Sequence, residues 1–361
     1  MNLRRRVLLA LAILLIAAVA ALFFLTRPAP VLTVMTWPGT YGRAQTNAQM
    51  HTYAADRNVD VRPALWDGDL ADLQAMVDKR QYKADVIDFE LPKAVRACNE
   101  GLLEKINPAG LPPGPGGEPA PRDFVPGAIG PCWVGSQVYS QVIVYSSSLK
   151  KTPSTLADFF DVKTFPGRRA LSRASAKFNL ELALLADGVA PGDVYKTLET
   201  PAGLDRAFAK LKALHPIWAH DSQGALEWLK DGQAVMVTAL NGDVANLKDF
   251  TPGGVVWDHQ LYEMDAFGIP AGDPNKDRAL DYIAYATASA PLAGVASWVP
   301  FGPARRSSLP LVKSNPETGQ TMTSMLPTAP QNFRDAFAVD DGWWLAHEAA
   351  IAPRWREFVS Q

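Results

Sequence analysis

The chain has 361 residues, of which 48% are hydrophobic and 20% are charged, so it is globular and long enough for two lobes of ordinary size. Without residues 1–30, which contain four arginines and no acid, 31 basic and 37 acidic residues give a net charge of −6. Nucleic-acid binding normally needs a basic face, so this composition argues against nucleic acid as a partner.

The N-terminus has the pattern of an export signal. Three arginines at positions 4–6 precede residues 7–25, which contain no charged or polar side chain. This run is nearly long enough to span a bilayer as a helix, so residues 1–30 are interpreted as an uncleaved inner-membrane anchor, with a cleaved signal peptide as the alternative. The basic flank stays in the cytoplasm and places residues 31–361 in the periplasm.

The exported part begins with strands and helices in alternation, which predicts sheets covered by helices. Predicted strands cover residues 31–37, 59–66 and 84–89, and predicted helices cover residues 42–57, 70–77 and 92–104. Residues 108–121 contain six prolines and four glycines and form an irregular surface segment. The apolar strand at residues 136–146 is long enough to carry the chain into a second lobe. A second α/β pattern follows, with a long strand at residues 255–270 and a helix at residues 275–289.

Cys98 and Cys132 are the only cysteines in the sequence. In an exported protein two cysteines most simply form one disulfide, and two separate buried thiols are the alternative. Closing a loop of about 35 residues would stabilise the fold by about 3–4 kcal/mol.

Motifs for catalysis are missing from the sequence. His347 begins a segment like H-E-x-x-H, but Ile351 stands where a zinc site needs its second histidine. His215 and His220 are five positions apart with a proline between them, which does not suit a metal pair on one helix face. The sequence has no G-x-S-x-G elbow and no phosphate-binding glycine loop. We therefore predict no catalytic residue, metal or cofactor, and keep a membrane-anchored periplasmic enzyme as the alternative class.

Nine segments, in order along the exported part, resemble a known family. They are VMTWPGTYGRAQ (34–45), ADVIDFE (84–90), CNEGLLEKINP (98–108), FVPGAIGPCWVGS (124–136), LADFFDVKTFPGRRAL (156–171), ELALLADGV (181–189), LKDGQAVMVTALNGD (229–243), VVWDHQLYEMDAFGIPAGDPNK (255–276) and WVPFGPARR (298–306). The resemblance is to the extracellular solute-binding proteins of ABC importers, in particular the spermidine/putrescine-binding type.

The resemblance implies an α/β, two-lobed type II periplasmic-binding-protein fold, with a ligand cleft between the lobes, after an N-terminal apolar helix. Lobe 1 is expected at residues 31–140 and about 262–308, and lobe 2 at residues 141–261 and about 309–361. The resemblance also implies that the lobes close around a small solute and that the closed form docks on the transmembrane subunits of an ABC permease.

Asp265 lies in the middle of an apolar strand, where a carboxylate is costly unless it is paired. In the family it would stand where the binding strand carries an acid for an ammonium group, and the alternative is an acid that pairs with a structural arginine or caps a turn. Tyr262 precedes it by three residues, where an aromatic ring would attract ammonium, unless it is a core tyrosine.

Trp37 and Tyr41 flank the turn after the first strand, which faces the cleft in the family, although Trp37 could also be a core residue. Many relatives read W-G-G here, whereas Pro38 of this chain removes one backbone donor. Glu90 follows the third strand and is expected to be a second amine acceptor. Asp88 is interpreted as a helix cap or a buried hydrogen-bond partner.

Asn241 and Asp243 lie at a strand-to-turn junction of lobe 2. Polyamine-binding relatives often carry an aromatic residue before this Asn-Gly pair, but Leu240 stands here, which weakens a cation–π contact. Asp243 is a candidate replacement acid or, alternatively, a turn residue.

Arg173 and Lys177 lie in a loop where polyamine-binding relatives commonly carry acids. Bases near the site would repel a polyamine and favour a carboxylate or phosphate, unless they are solvated or pair with acids of the facing lobe. Two ligand classes stay open: an amine or polyamine held by Asp265 and Glu90, or an amino acid, organic anion or phosphonate held through Arg173.

Overall fold

The patterned segments form one mixed sheet with helices around it, in a computed structural model that describes residues 28–247 and 249–360. The strands are β1 (Val31–Thr36), β2 (Asp60–Leu65), β3 (Val86–Glu90), β4 (Val134–Tyr145), β5 (Arg169–Ser172), β6 (Ile217–Ala219), β7 (Met236–Leu240), β8 (Gly254–Gly268), β9 (Gly302–Pro303) and β10 (Phe337–Ala338). The helices are α1 (Gly39–Gln45), α2 (His51–Arg57), α3 (Leu70–Lys79), α4 (Leu91–Asn99), α5 (Ala120–Asp123), α6 (Leu156–Phe160), α7 (Asn179–Ala186), α8 (Val194–Leu198), α9 (Pro201–Leu214), α10 (Ser222–Lys230), α11 (Asn241–Ala245), α12 (Lys276–Ala286), α13 (Ser289–Ala296) and α14 (Asp341–Val359).

Helix α4 ends earlier than the predicted 92–104. Gly101 adopts a left-handed φ of 76°, and the Leu102 amide donates to the Ala97 carbonyl at 2.8 Å. Helices commonly end in this way at a glycine, because glycine adopts a left-handed φ without a steric clash. The helix therefore stops at Asn99.

Two parallel blocks of strands flank an antiparallel pair. The order in the described residues is β2-β1-β3-β8-β4-β7-β5-β6, with β10 beside β8 and β9 beside β4. Strand β1 runs parallel to β2 and β3, and β5 runs parallel to β6 and β7. The long strands β4 and β8 are antiparallel to each other and join the two blocks. Ligands of such sheets bind beyond the carboxyl ends of strands, so candidate side chains are sought there.

The hydrophobic core divides along the two joining strands. One cluster draws its residues from 32–138 and 262–304, and the other draws from 143–261 and 337–355. Leu261 belongs to the second cluster and Tyr262 to the first, so β8 passes from one to the other between neighbouring residues. We propose that β4 and β8 are the crossings between the two expected lobes.

The segment after residue 309 contacts both parts of the molecule. Leu326 packs with Ala296 of α13, and the Gln260 side chain of β8 donates to the Pro327 carbonyl at 2.9 Å. The assignment of residues 309–361 to lobe 2 stays a prediction.

A disulfide links Cys98 of α4 to Cys132, just before β4, with 5.7 Å between the Cα atoms. This is the predicted pairing. The predicted anchor at residues 7–25 lies outside the described residues. Among the residues that are described, no helix has both the length and the apolar character needed to cross a membrane.

Candidate functional site

Strand β8 presents two acids on the same face. Side chains alternate along a strand, so Glu263 and Asp265 point to one side, and both are buried. Asp265 lies directly opposite Glu90 of β3, and Glu263 lies opposite Tyr139 of β4. A β-bulge in β4, between Gly135 and Val138, interrupts the register beside Asp265. Bulges re-aim side chains and are common beside functional sites.

Asp88 of β3 joins this face from the neighbouring strand. It precedes Glu90 by two residues and is fully buried. The Gln45 side chain of α1 donates to Asp88 Oδ2 at 3.0 Å and to the Tyr41 hydroxyl at 3.3 Å. Asp88 Oδ1 is buried and has no hydrogen-bond partner among the described residues. The carboxyl group of Asp88 therefore keeps an unused acceptor, which is costly unless a donor arrives.

Burial raises the pKa of both Asp88 and Asp265. Burial raises the pKa of Asp265 well above its ordinary range, and the nearby charges of Asp88 and Glu90 raise it further, while a hydrogen bond from Tyr41 acts against them. Burial also raises the pKa of Asp88 to about 7, opposed by hydrogen bonds from Gln45 and Tyr41. In the part of the chain that the structure describes, neither carboxyl group has a basic side chain within 4.0 Å. The pair thus lacks the counter-charge that a buried acid requires.

Glu263 differs from Asp265 because it has a basic partner. Lys177 forms ion pairs with Glu263 and, at 3.2 Å, with Asp341 of α14. Burial, followed by the charge of Asp341, raises the pKa of Glu263, and the ammonium of Lys177 acts against both. Burial alone would lower the pKa of Lys177, but Glu263 and Asp341 raise it above its ordinary value, so its charge is retained.

Three aromatic rings lie beside these acids. Phe301 contacts Tyr41 edge-on, with ring centroids 5.3 Å apart, and Tyr139 at 6.1 Å. The Tyr139 hydroxyl donates to Glu263 Oε2 at 3.3 Å. Aromatic faces attract an ammonium group and pack against methylene chains, so this group suits an aliphatic amine.

A cavity of about 400 Å³ opens at the carboxyl ends of β5 and β7. Its lining includes Gln141 of β4, Lys177, Asp221 and Asp243, and the helices α7 and α10 begin there. This volume lies within the usual range for small-molecule sites. Lys177 both lines the cavity and contacts Glu263, whereas Glu263 and Asp265 themselves are not part of the lining.

Several predicted residues lie at this face. Asp265, Tyr41 and Glu90 are brought together, and the Glu90 side chain also pairs with Lys93 at 3.2 Å. Trp37 lies next to them, under the Lys93 ammonium at 5.6 Å from the ring centroid. The indole nitrogen of Trp37 is buried and has no hydrogen-bond partner among the described residues.

Tyr262 lies on the opposite face of β8. It is buried in the first hydrophobic cluster and packs against Phe333, with ring centroids 4.9 Å apart. An odd spacing of three residues separates it from Asp265, so the two side chains leave the strand in opposite directions. The core interpretation of Tyr262 therefore fits its position.

Asn241 is held by the backbone on both sides. Its Oδ1 accepts from the Ser140 amide at 2.9 Å, and its Nδ2 donates to the Pro300 carbonyl at 2.6 Å. It therefore joins β4 to the segment that carries Phe301. Asp243 lines the cavity and accepts from the Gln223 side chain at 3.3 Å.

Arg173 is exposed, and its side chain is not part of the cavity lining. Its backbone amide donates to Ala219, and its carbonyl accepts from the indole nitrogen of Trp355. Of the two bases in this loop, Lys177 faces the acids and Arg173 does not.

Sequence reasoning did not assign Glu263, Asp341, Gln45 or Tyr139 to the site. The signal for Glu263 was present, because it stands two residues before Asp265 and shares its face. No local signal marks Asp341 as a neighbour of Lys177, since the two are separated by 164 positions in the chain.

A family model described as bacterial extracellular solute-binding protein matches residues 48–320. Over 334 residues the chain is 36% identical to the gamma-aminobutyric acid-binding protein of Pseudomonas aeruginosa, and the match covers 91% of each protein. A solved structure of a GABA receptor is 28% identical, with a TM-score of 0.72, over 91% of this chain and 97% of that one. An ABC transporter substrate-binding protein from Bradyrhizobium japonicum is 26% identical, with a TM-score of 0.74, over 91% and 99% of the two chains.

These relatives share the mixed α/β periplasmic-binding-protein fold described above. The family consists of substrate-binding proteins rather than enzymes, which agrees with the missing catalytic motifs. The spermidine/putrescine type is not specifically supported. This chain belongs to the bacterial extracellular solute-binding proteins, the exported receptors that serve ABC transporters.

Proposed function

We propose that this protein is the receptor for a small amino acid with separated charges, of the γ-aminobutyric acid (GABA) type, and that it delivers this solute to an ABC permease. The observation that carries the proposal is the buried pair Asp88 and Asp265, which has no basic partner within 4.0 Å in the described chain and lies beside the Tyr41 hydroxyl.

The ammonium end of the solute would supply the missing counter-charge. Asp88 Oδ1 offers an unused acceptor, and Asp265 stands on the same face of the sheet. Charge-assisted hydrogen bonds to an ammonium are stronger than neutral ones. The rings of Tyr41, Tyr139 and Phe301 would cover the methylene chain.

The carboxylate end would bind in the cavity that Lys177 lines. The helices α7 and α10 begin at this cavity, and helix N-termini favour anions. Asp221 and Asp243 also line it, but Asp221 already accepts from the Gly224 amide at 2.8 Å and Asp243 from Gln223. Support for a zwitterion also comes from two relatives, whose names refer to GABA and which are 36% and 28% identical.

Isothermal titration calorimetry of the purified protein tests the proposal. GABA is expected to bind with a Kd in the micromolar range or below, and putrescine and spermidine at least about 100-fold more weakly, a difference of about 2.7 kcal/mol. Butyrate and butylamine, which each carry one of the two charges, serve as matched controls and should both bind weakly.

A diamine or polyamine is the second candidate, because Asp88, Asp265 and Glu90 put three acids near one another. Tight binding of putrescine without binding of GABA would replace the first candidate by the second. Tight binding of butyrate alone would contradict both and favour an organic anion.

Delivery requires the solute to drive a conformational change. The two lobes, with boundaries as predicted from the sequence, would close about β4 and β8, and only a solute that binds the closed form better can drive this. Small-angle scattering with and without GABA should show a smaller radius of gyration when the solute is bound.

Residues 7–25 are proposed to export the protein and to hold it at the inner membrane. An anchor would raise the concentration of receptor beside its permease. Cell fractionation followed by N-terminal sequencing distinguishes an intact anchor in the membrane fraction from a cleaved form in the soluble periplasm.

A further inference from the structure

We infer that Lys177 determines which charge pattern the cleft accepts: its ammonium occupies the space between Glu263 and Asp341 that a second ammonium would need, so the cleft admits an amino acid and rejects a diamine. This inference rests on the proposed function and names the residue that gives it selectivity.

Two pairs of acids lie along the face of β8. Asp88 and Asp265 form one pair, and Glu263 and Asp341 form the other. A face with two separated anionic ends would suit a diamine, because each ammonium would find a carboxylate pair. At one of these ends, the ammonium of Lys177 already occupies the space between Glu263 and Asp341.

The protein holds the Lys177 ammonium firmly in this position. Its side chain is only 17% exposed, and those of Glu263 and Asp341 are 4% and 3% exposed. The Phe178 ring lies 5.5 Å from Nζ, and the Lys177 amide donates to Ser175 Oγ at 3.1 Å. Phe178 itself adopts a φ of 70°, which is strained for a bulky residue and is maintained by the surrounding structure.

Lys177 also borders the cavity proposed for the carboxylate. Lys177 is part of the lining, together with Ser175 and Asn179 at the start of α7. By filling the space between Glu263 and Asp341, the ammonium of Lys177 excludes a second ammonium, and its remaining N–H group would donate to the carboxylate of the solute. Specificity commonly combines an attraction for the right ligand with a repulsion of the wrong one, and Lys177 would supply both.

The test is the selectivity ratio, measured as the Kd of putrescine divided by the Kd of GABA. In Lys177→Met, Glu263 and Asp341 lose their counter-ion and become available to a second ammonium. We expect GABA to bind at least about 10-fold more weakly and putrescine at least about 10-fold more tightly, so that the ratio falls by about 100-fold.

Two further variants separate selectivity from structural damage. Lys177→Arg keeps the charge and should leave the ratio within about 3-fold of the wild type. Lys177→Met combined with Glu263→Gln removes one of the released acids and should abolish the gain in putrescine affinity. If Lys177→Met does not fold, Lys177→Gln also removes the positive charge while keeping a hydrogen-bond donor, and the ratio should fall in the same direction.

The outcomes distinguish the inference from the proposed function. A wild type that prefers GABA, with a ratio unchanged in Lys177→Met, overturns the inference and leaves the proposed function intact. A wild type that prefers putrescine overturns both. Equal weakening of both ligands in Lys177→Met would show a purely structural lysine and would also overturn the inference.

Discussion

The two buried acids on the face of β8, Asp265 and Glu263, differ in whether a basic side chain pairs with them. At one end Asp265 shares its surroundings with Asp88 and has no base within 4.0 Å in the described chain. At the other end Glu263, two residues earlier on the same face, pairs with Lys177 and lies near Asp341. Both ends are buried, so solvent does not account for the difference.

The comparison shows how burial can serve stability or binding. At the Glu263 end the protein provides its own cation and completes the site while it folds. At the Asp265 end the acids are buried without one, which costs stability until a ligand brings the charge. Binding sites commonly keep such an unfavourable arrangement, and variants that relieve it gain stability while losing function.

The strongest test of the comparison is Asp265→Asn. This change removes the charge with almost no change of shape, so the Kd for GABA should increase by at least about 100-fold, or about 2.7 kcal/mol. Titration calorimetry measures it. Asp273→Asn is the matched control, since Asp273 is equally buried, has a pKa raised by burial to about 6 and accepts from Asn275 outside the site. A change below about 3-fold in Asp265→Asn would remove this residue from the site.

The two ends should also respond with opposite signs in the unliganded protein. Lys177→Met leaves Glu263 and Asp341 without their shared cation and should lower the free energy of unfolding by about 1–3 kcal/mol. Asp88→Asn removes an uncompensated acid and should raise it by about 1–2 kcal/mol at pH 8. Urea denaturation of both variants measures these values. Destabilisation by both changes would mean that Asp88 is already compensated.

The pH dependence should separate binding from stability. The pKa of Asp88 is about 7 in the folded protein, and the pKa values of both acids exceed their values in the unfolded chain. The contribution of this pair to stability is therefore present at low pH and is lost as the pH rises through about 7. Binding follows the opposite course, since protonated carboxyl groups cannot balance an ammonium. The affinity for GABA should fall by about tenfold from pH 8 to pH 6. Asp88→Asn should flatten this profile, and an equally steep profile in the variant would contradict the assignment.

The smallest expected effect comes from Tyr41→Phe. The Tyr41 hydroxyl lies beside both acids and lowers their pKa values, so its loss leaves more of the pair protonated. The Kd for GABA should rise by about 3-fold to 10-fold at pH 7 and by less at pH 8.5. Tyr53→Phe is the control, because the Tyr53 hydroxyl donates to Asp281 at 2.9 Å, away from the site. An equal loss at both pH values would mean that the hydroxyl contacts the solute directly instead.

The sequence allowed the fold to be predicted more completely than the site. Its strand and helix patterns located β1, β3 and β8 within about two residues, because side-chain periodicity is a local property. It also selected Asp265, since an acid within an apolar strand requires a partner. It did not distinguish Arg173 from Lys177, because both stand in one irregular loop and only its folded path turns Lys177 inward.

The sequence by itself predicted an exported α/β solute-binding protein and a disulfide between Cys98 and Cys132, and it singled out an acid that needs a counter-charge. The tertiary structure decided which acids lie together and which of them has a basic partner. The physical reason is that β4 and β8 bring segments from across the chain onto one buried face, where Asp341 meets Lys177 and Asp88 meets Asp265. Charge compensation depends on distance and burial, and neither is encoded by any single stretch of residues.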